Sequence, residues 1–330
     1  MRVRMDGVIE RQLLCHLMAA PCTEVSLAER SAISMASVRS VLEALHAAGL
    51  PLCTGPDGAW HLTDRMDLLD RRTVLDGLHP DSRDLLDELA VAWQVDSTNA
   101  RLIAATPLEA TGAHLLIAEG QTVGRGRQGR TWVSPLCRHI YLSLSCPVAG
   151  GWAAMGGLSL AVGVMVARAL ESCGACGIGL KWPNDLFTAQ GKLGGVLIES
   201  SGAMRGPARA TVGIGINVHD SRPAGDAISQ DWDWLDRATG RWIDRNALVV
   251  AMIDQLLPGI DRFQQEGLAP FLADYAKRDV LAGKAIWIDN GQGARQPGTA
   301  LGVADDGSLR VCDADGERRL YAGEVSVRLQ

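Results

Sequence analysis

The apolar positions change period along the chain, and each change marks a different kind of element. Over residues 9–20, Ile9, Leu13, Leu14, Leu17 and Met18 fall on one helical face. Ser26 can cap a second helix that runs to about Ser31, and Ala32-Ile33-Ser34 makes a short turn. Residues 35–48 repeat Val38, Val41, Leu42 and Leu45 at helical spacing until Gly49 stops them. Gly55-Pro56-Asp57-Gly58 then turns a hairpin between 50–53 and 59–62. Three helices and a hairpin predict a winged helix-turn-helix over 1–65.

Residues 66–80 carry Asp and Arg pairs with Gly77 and Pro80, and predict a linker. From 81 to 277 both periods alternate. Helices are predicted over 82–92, 154–173, 245–265 and 269–277, and strands over 113–119, 139–145, 178–182, 193–200 and 209–218. The strand after the long helix can lie beside an earlier one, so a mixed sheet backed by helices is expected. Over 278–330 the elements become short strands. Asp305-Asp306-Gly307 and Asp313-Ala314-Asp315-Gly316 are turn signals that suit a small β-barrel. The predicted class is α+β multidomain, and 330 residues are too many for one typical domain.

Composition narrows this little. Hydrophobic residues at 47% and charged residues at 21% are an ordinary globular balance, and a net charge of −6 makes no global case for nucleic acid or an anionic membrane. Residues 1–65 hold six basic side chains (Arg2, Arg4, Arg11, Arg30, Arg39, Arg65) and seven acidic ones (Asp6, Glu10, Glu24, Glu29, Glu43, Asp57, Asp64), a balance of −1 that suits a phosphate-contacting module poorly. Eight scattered cysteines and an N-terminus without an apolar signal core predict reduced thiols and a cytoplasmic protein. Cys173-Gly174-Ala175-Cys176 has redox or metal spacing, but no second pair completes a zinc site. The most apolar stretch, 153–170, is short and rich in Gly, and predicts a buried helix rather than a membrane span.

The chemistry concentrates in four places. Gly124-Arg125-Gly126-Arg127-Gln128-Gly129-Arg130 follows an apolar strand. Gly124, Gly126 and Gly129 match the dinucleotide fingerprint literally. The continuation Thr131-Trp132-Val133-Ser134-Pro135 opens no helix, and no acidic residue ends a strand about twenty positions on, so a Rossmann site is rejected. Three arginines in a flexible loop can hold phosphate or carboxylate, or two such anions together. A solvated basic loop and a nucleic-acid loop are the alternatives. Lys181-Trp182-Pro183-Asn184-Asp185 emerges from a strand end, and Lys192-Leu193-Gly194-Gly195 opens the next strand; taken alone, the first is better explained by a plain hairpin turn. Asp96-Ser97-Thr98-Asn99 reads as a helix cap, which is compatible with ligand binding. Gly213-Ile214-Gly215-Ile216-Asn217 is an apolar strand ending in one amide. No phosphate-binding P-loop, nucleophile elbow or zinc-protease helix occurs.

The ordered set of these motifs closely resembles the bifunctional biotin–protein ligase and biotin-operon repressor family of bacteria, from the winged helix to the C-terminal barrel. The resemblance implies a class II synthetase-like catalytic domain and an SH3-like C-terminal barrel. It implies ATP and Mg²⁺ as cofactors, biotin as substrate and the biotin carboxyl carrier protein of acetyl-CoA carboxylase as partner. By resemblance, Ser97, Thr98, Asn99, Gln121, Arg125, Gly126, Arg127 and Lys192 contact biotin. Lys192, Arg125 and Arg127 are the catalytic residues. Arg130, Trp132, Lys181, Asn184, Asp185 and Asn217 attend ATP, with Asp185 on the metal. Ser37, Arg39 and Ser40 read operator DNA, and a homodimer forms on a two-fold operator. Two other readings stay open: a transcription factor that senses a ligand without catalysis, and a lipoate–protein ligase.

Overall fold

The computed structural model describes residues 7–221, 231–289, 295–322 and 326–329. Arg2, Arg4 and Asp6 of the N-terminal charge count lie outside them. The chain opens with helices α1 (Val8–Ala19), α2 (Glu24–Ser31) and α3 (Met35–Ala47) around buried Leu13, Leu27, Val38 and Leu42. Strands β1 (Cys22–Thr23), β2 (Leu52–Thr54) and β3 (Ala59–Leu62) form a small antiparallel sheet with β3 in the middle. Helix α2 begins earlier than its expected cap: Thr23, not Ser26, is the capping residue, and its hydroxyl accepts the Ser26 N–H at 3.3 Å. Ala32 ends α2 with φ of 53°, a left-handed position that glycine adopts without steric cost.

Two expectations fail here, both because tertiary contacts outweigh local signals. Residues 66–80 are not a linker. They contain helix α4 (Arg71–Gly77), and Leu69 and Val74 are fully buried in the central core. Asp70, Arg71, Arg72 and Asp76 of this segment do face outward, but Asp67 turns inward to the buried Arg245. The second failure is the helix over 82–92. Only Pro80–Asp84 is helical (α5), and Leu86–Val95 is strand β4. Its Leu, Ala and Glu favour helix, but parallel pairing with β5 (Ala113–Gln121) and burial of Leu89, Ala92, Trp93 and Val95 decide the outcome.

The central sheet has seven strands in the order β4-β5-β6-β10-β9-β8-β7. The others are β6 (Ile140–Val148), β7 (Gly179–Lys181), β8 (Asp185–Thr188), β9 (Gly191–Gly202) and β10 (Ala208–Ile216). Only the β4–β5 pairing is parallel. The strand after the long helix, β7, was expected beside an earlier strand; instead the turn at Pro183-Asn184 folds β8 back onto it and leaves β7 at the edge. Helix α7 (Leu158–Ser172) is buried almost all round. It packs under helices α9 (Arg245–Glu266) and α10 (Ala269–Arg278), with the short helix α8 (Leu235–Thr239) preceding them. No helix among the described residues is long and apolar enough to cross a membrane.

A five-stranded antiparallel sheet closes the chain in the order β14-β13-β12-β11-β15, from β11 (Ala285–Asp289), β12 (Arg295–Val303), β13 (Leu309–Asp313), β14 (Gly316–Leu320) and β15 (Ser326–Leu329). Both predicted turns are present, with Gly307 at φ 82° and Gly316 at φ 106°. Trp182 ties this sheet to the central one: its indole N–H donates to the Gly307 carbonyl at 3.0 Å. All eight cysteines are free thiols.

Candidate active site

Glycines on adjacent strands open a cavity of about 1280 Å³ on the central sheet. Gly213 of β10 pairs with Leu197 of β9, and Gly215 with Gly195. A methyl group at Gly213 would lie 2.4 Å from Asn99 Oδ1, and one at Gly215 would lie 2.6 Å from the Trp132 ring. Each missing side chain thus makes room for a polar or aromatic one arriving from another element. Every residue expected to touch biotin or ATP lines this one cavity. Ser37, Arg39 and Ser40 stand apart on α3.

One end of the cavity is neutral and rich in hydrogen bonds. Ser97 caps helix α6 (Thr98–Ala105), so Thr98 and Asn99 are presented from its first turn. Gln121 Oε1 accepts from Thr98 N–H at 2.9 Å and from the Thr98 hydroxyl at 3.2 Å, while its Nε2 donates to Ser134 Oγ at 3.2 Å. The buried Ser143 hydroxyl lies 2.7 Å from Thr98 Oγ1 and 2.6 Å from Asn99 Oδ1. Asn99 Nδ2 donates to Glu199 Oε2 at 2.9 Å.

The other end is charged. Lys192 Nζ lies 2.7 Å from Asp185 Oδ1 and 5.5 Å from the centre of the Trp132 ring. Asn217 Nδ2 donates to the carbonyls of Lys192 and Asp233, which fixes the backbone under the lysine. Arg127 Nη1 donates to Asn184 Oδ1 at 3.2 Å, and its other nitrogen bonds the Ala322 carbonyl of the C-terminal sheet. Burial pulls the Arg127 guanidinium below the usual arginine range, and the Asp185 charge opposes that pull. Lys181 lies 5.4 Å from the centre of the Phe187 ring.

The arginine-glycine loop is a tight hairpin and opens no helix. Gly126 N–H donates to Arg130 O and Trp132 N–H to Gly124 O, with a short 3-10 turn at Arg127–Gly129. Its three arginines part company. Arg127 reaches the charged end. Arg125 pairs with Glu199 at 3.0 Å at the neutral end, and Arg130 donates to Gln128 on the exposed side. All three nonetheless line the same cavity, and Glu199 supplies the carboxylate with which Arg125 pairs.

Behind the site lies a buried ion network. Glu119, two residues before Gln121 on β5, accepts from Arg245 Nη1 at 2.8 Å and from Leu69 N–H at 2.7 Å; both side chains are fully buried. Arg245 Nε also bonds Asp67 at 2.5 Å. Burial pushes the Asp67 carboxyl up, but the nearby His219 ring, 3.9 Å away, and the charge and hydrogen bonds of Arg245 together hold it well below the usual carboxylate range. Burial pulls His139 down to about 3, so it is neutral. Its Nδ1 accepts the Val218 N–H at 3.2 Å.

Sequence reasoning missed Ser134, Ser143, Glu199, Asp231 and Trp232. Ser143 had a signal, a polar residue inside the apolar strand Tyr141-Leu142-Ser143-Leu144. Trp232 and Asp231 line the cavity from a loop with no periodic pattern.

Residues 91–217 match the Biotin/lipoate A/B protein ligase family. The chain is 34% identical over 303 residues to the bifunctional ligase/repressor BirA of Salmonella typhimurium, spanning 92% of each. It is 31% identical to the biotin–[acetyl-CoA-carboxylase] ligase of Paracoccus denitrificans, over 70% of this chain and 97% of that one. The biotin protein ligase of Aquifex aeolicus, solved in complex with biotin and ATP, superposes with a TM-score of 0.63 at 26% identity, over 74% of this chain and all of that one. The chain belongs to the biotin/lipoate A/B protein ligase family, and its relatives place it among the biotin–protein ligases.

Proposed function

We propose that the enzyme joins biotin and ATP into biotinyl-5′-adenylate, and then passes the acyl group to a lysine of the biotin carboxyl carrier protein of acetyl-CoA carboxylase. The observation that carries this is the division of one cavity into a neutral hydrogen-bonding end and a cationic end. Thr98, Asn99 and Gln121, held from behind by Ser143, suit a ureido ring, which both donates and accepts. Lys192 and Arg127 suit the carboxylate and the α-phosphate. The Trp132 indole N–H lacks a partner among the described residues, so a ligand oxygen there would satisfy it.

The chemistry asks an anion to attack an anion. A carboxylate oxygen bonds to the α-phosphorus, the α–β phosphoanhydride bond breaks, and pyrophosphate leaves. The Lys192 ammonium leaves Asp185 to meet the carboxylate and α-phosphate, where it offsets their repulsion and the charge that builds in the transition state. A neutral lysine amine of the carrier then attacks the acyl carbon, AMP leaves, and a proton is lost to solvent. Trp132 and Trp232 offer ring faces along the adenylate. Among the described residues no group of three His, Cys, Asp or Glu side chains could hold a metal alone. Mg²⁺ bound through one carboxylate and substrate phosphates fits Asp185 beside Asn184, where it would neutralise the leaving pyrophosphate. Biotin-dependent exchange of labelled pyrophosphate into ATP tests the first half-reaction; exchange with lipoate exceeding exchange with biotin would reverse the choice of substrate.

The N-terminal region is proposed as a winged helix-turn-helix that binds operator DNA as a homodimer loaded with the adenylate. Its α2–turn–α3 arrangement and the repressor half of the Salmonella relative's name support this. The central domain is proposed as class II synthetase-like and the C-terminal sheet as an SH3-like barrel, in a cytoplasmic enzyme. A biotin-dependent mobility shift on the organism's biotin-gene promoters tests the regulatory half.

A further inference from the structure

Glu199 has no place in the chemistry above, yet it touches two separate elements of the site. It stands near the far end of β9, opposite Thr211 of β10. A single oxygen, Oε2, accepts from Asn99 Nδ2 at 2.9 Å and from Arg125 Nη2 at 3.0 Å. It thereby joins the capped start of α6 to the arginine-glycine hairpin.

Each contact has its own consequence. A carboxylate only accepts hydrogen bonds, so Glu199, together with the Leu197 carbonyl that accepts from the same Nδ2 at 3.3 Å, fixes which way the Asn99 amide faces. With Nδ2 committed to Glu199, Oδ1 is turned toward Ser143. The second contact holds the loop. Arg125 is drawn to the neutral end, while Arg127, two residues on, sits at the charged end with Asn184. The Arg125 and Glu199 side chains keep 42% and 28% of their exposure. An ion pair so open to water is weak and exchangeable, and a guanidinium binds phosphate bidentately.

We infer that Glu199 is a positioning residue that acts through Asn99 and Arg125: it orients the amide, and it serves as the internal counter-anion that an anionic acyl-adenylate displaces from Arg125. The inference rests on the adenylate-forming function proposed above. Ligand entry exchanges one ion pair for another, and the strength of the internal pair sets part of the cost of closing the loop.

The substitution Glu199→Gln separates the two contacts. Its amide oxygen still accepts from Asn99, but its charge is gone. Calorimetry on the full chain with a hydrolysis-resistant acyl-sulfamate analogue of biotinyl-adenylate reads the effect. Glu199→Gln should bind the analogue about two- to fivefold more tightly than the unmodified protein. The gain should vanish when Arg125→Ala is also present, which places the effect in that pair. Trypsin supplies a readout that needs no ligand: cleavage after Arg130 in the free protein should speed up in Glu199→Gln and in Arg125→Ala alike. Unchanged or weaker analogue binding with an unchanged cleavage rate overturns the inference. An unmodified protein that ignores the analogue, while cleavage still accelerates in both variants, keeps the tether and overturns the ligase reading instead.

Discussion

Lys192 Nζ and Asp185 Oδ1 stand 2.7 Å apart across the β8–β9 hairpin, and each holds the other's charge in place. A methyl group at Gly195, between them, would lie 3.3 Å from Asp185 Oδ1 and 3.5 Å from Lys192 Cε. The pair stores a cation beside the reaction point and a carboxylate that is released when the cation turns to substrate. Lys192→Ala should therefore slow adenylation by about a hundred- to a thousandfold, with the fold retained. Single-turnover pyrophosphate release measures it, and a rate equal to that of the unmodified enzyme removes Lys192 from the mechanism.

Gly213→Ala should act at the neutral end alone. The new methyl group would press on Asn99 Oδ1, and β10 is paired on both sides and cannot move away. Biotin affinity should fall by about ten- to a hundredfold, and the forced shift of the buried Asn99 should cost about 1–3 kcal/mol of stability. Equal affinity in a calorimetric titration would show that Asn99 does not face the ligand.

Arg245 carries no exposed surface and satisfies two carboxylates. Arg245→Ala leaves Glu119 and Asp67 buried without their partner, at a cost of about 3–5 kcal/mol. Urea unfolding followed by tryptophan fluorescence reports it. Because Glu119 also receives the Leu69 N–H, the segment after the N-terminal helices should loosen first, visible as faster hydrogen exchange near Leu69.

Acid should destabilise the fold in two steps of the same sign. His139 has a folded value of about 3 against an ordinary value of 6.5. The unfolded chain therefore binds a proton through that interval while the folded one does not, and stability falls as pH drops from about 6.5 toward 3. Asp67 is held below the usual carboxylate range, so its contribution is present at neutral pH and is lost as pH falls below about 4. Melting temperatures at stepped pH test this. A flat profile between pH 7 and 4 would contradict it.

Arg39 is the one arginine among the proposed DNA readers, and Glu24 holds it with a 2.6 Å contact. Glu24→Gln should strengthen operator binding several-fold, and Arg39→Ala should weaken it, in fluorescence anisotropy at fixed salt. Identical affinities across the three proteins would exclude Arg39 from the interface.

The cavity was more legible in the sequence than the path of the chain around it. Gly213, Gly215 and Lys192 sit in short motifs whose residue types state their own reason, close approach or charge, and all three line the cavity. The strand at Leu86–Val95 was not legible. Its residues favour helix, and only a partner strand and the N-terminal helices packed on Trp93 make it extended. Glu199 was hidden for a similar reason: a lone acid at the end of an apolar strand gains meaning only when the fold brings Asn99 and Arg125 to it.

The central claim meets its most direct test in one mixture: the full-length protein with ATP, Mg²⁺, biotin and a biotin carboxyl carrier domain, read by mass spectrometry. The account predicts one biotinoyl group on a single lysine of the carrier, dependent on both biotin and ATP and lost with Lys192→Ala. A carrier left unmodified by active-folded protein, with biotin and with lipoate alike, would contradict it and leave a ligand-sensing regulator in its place.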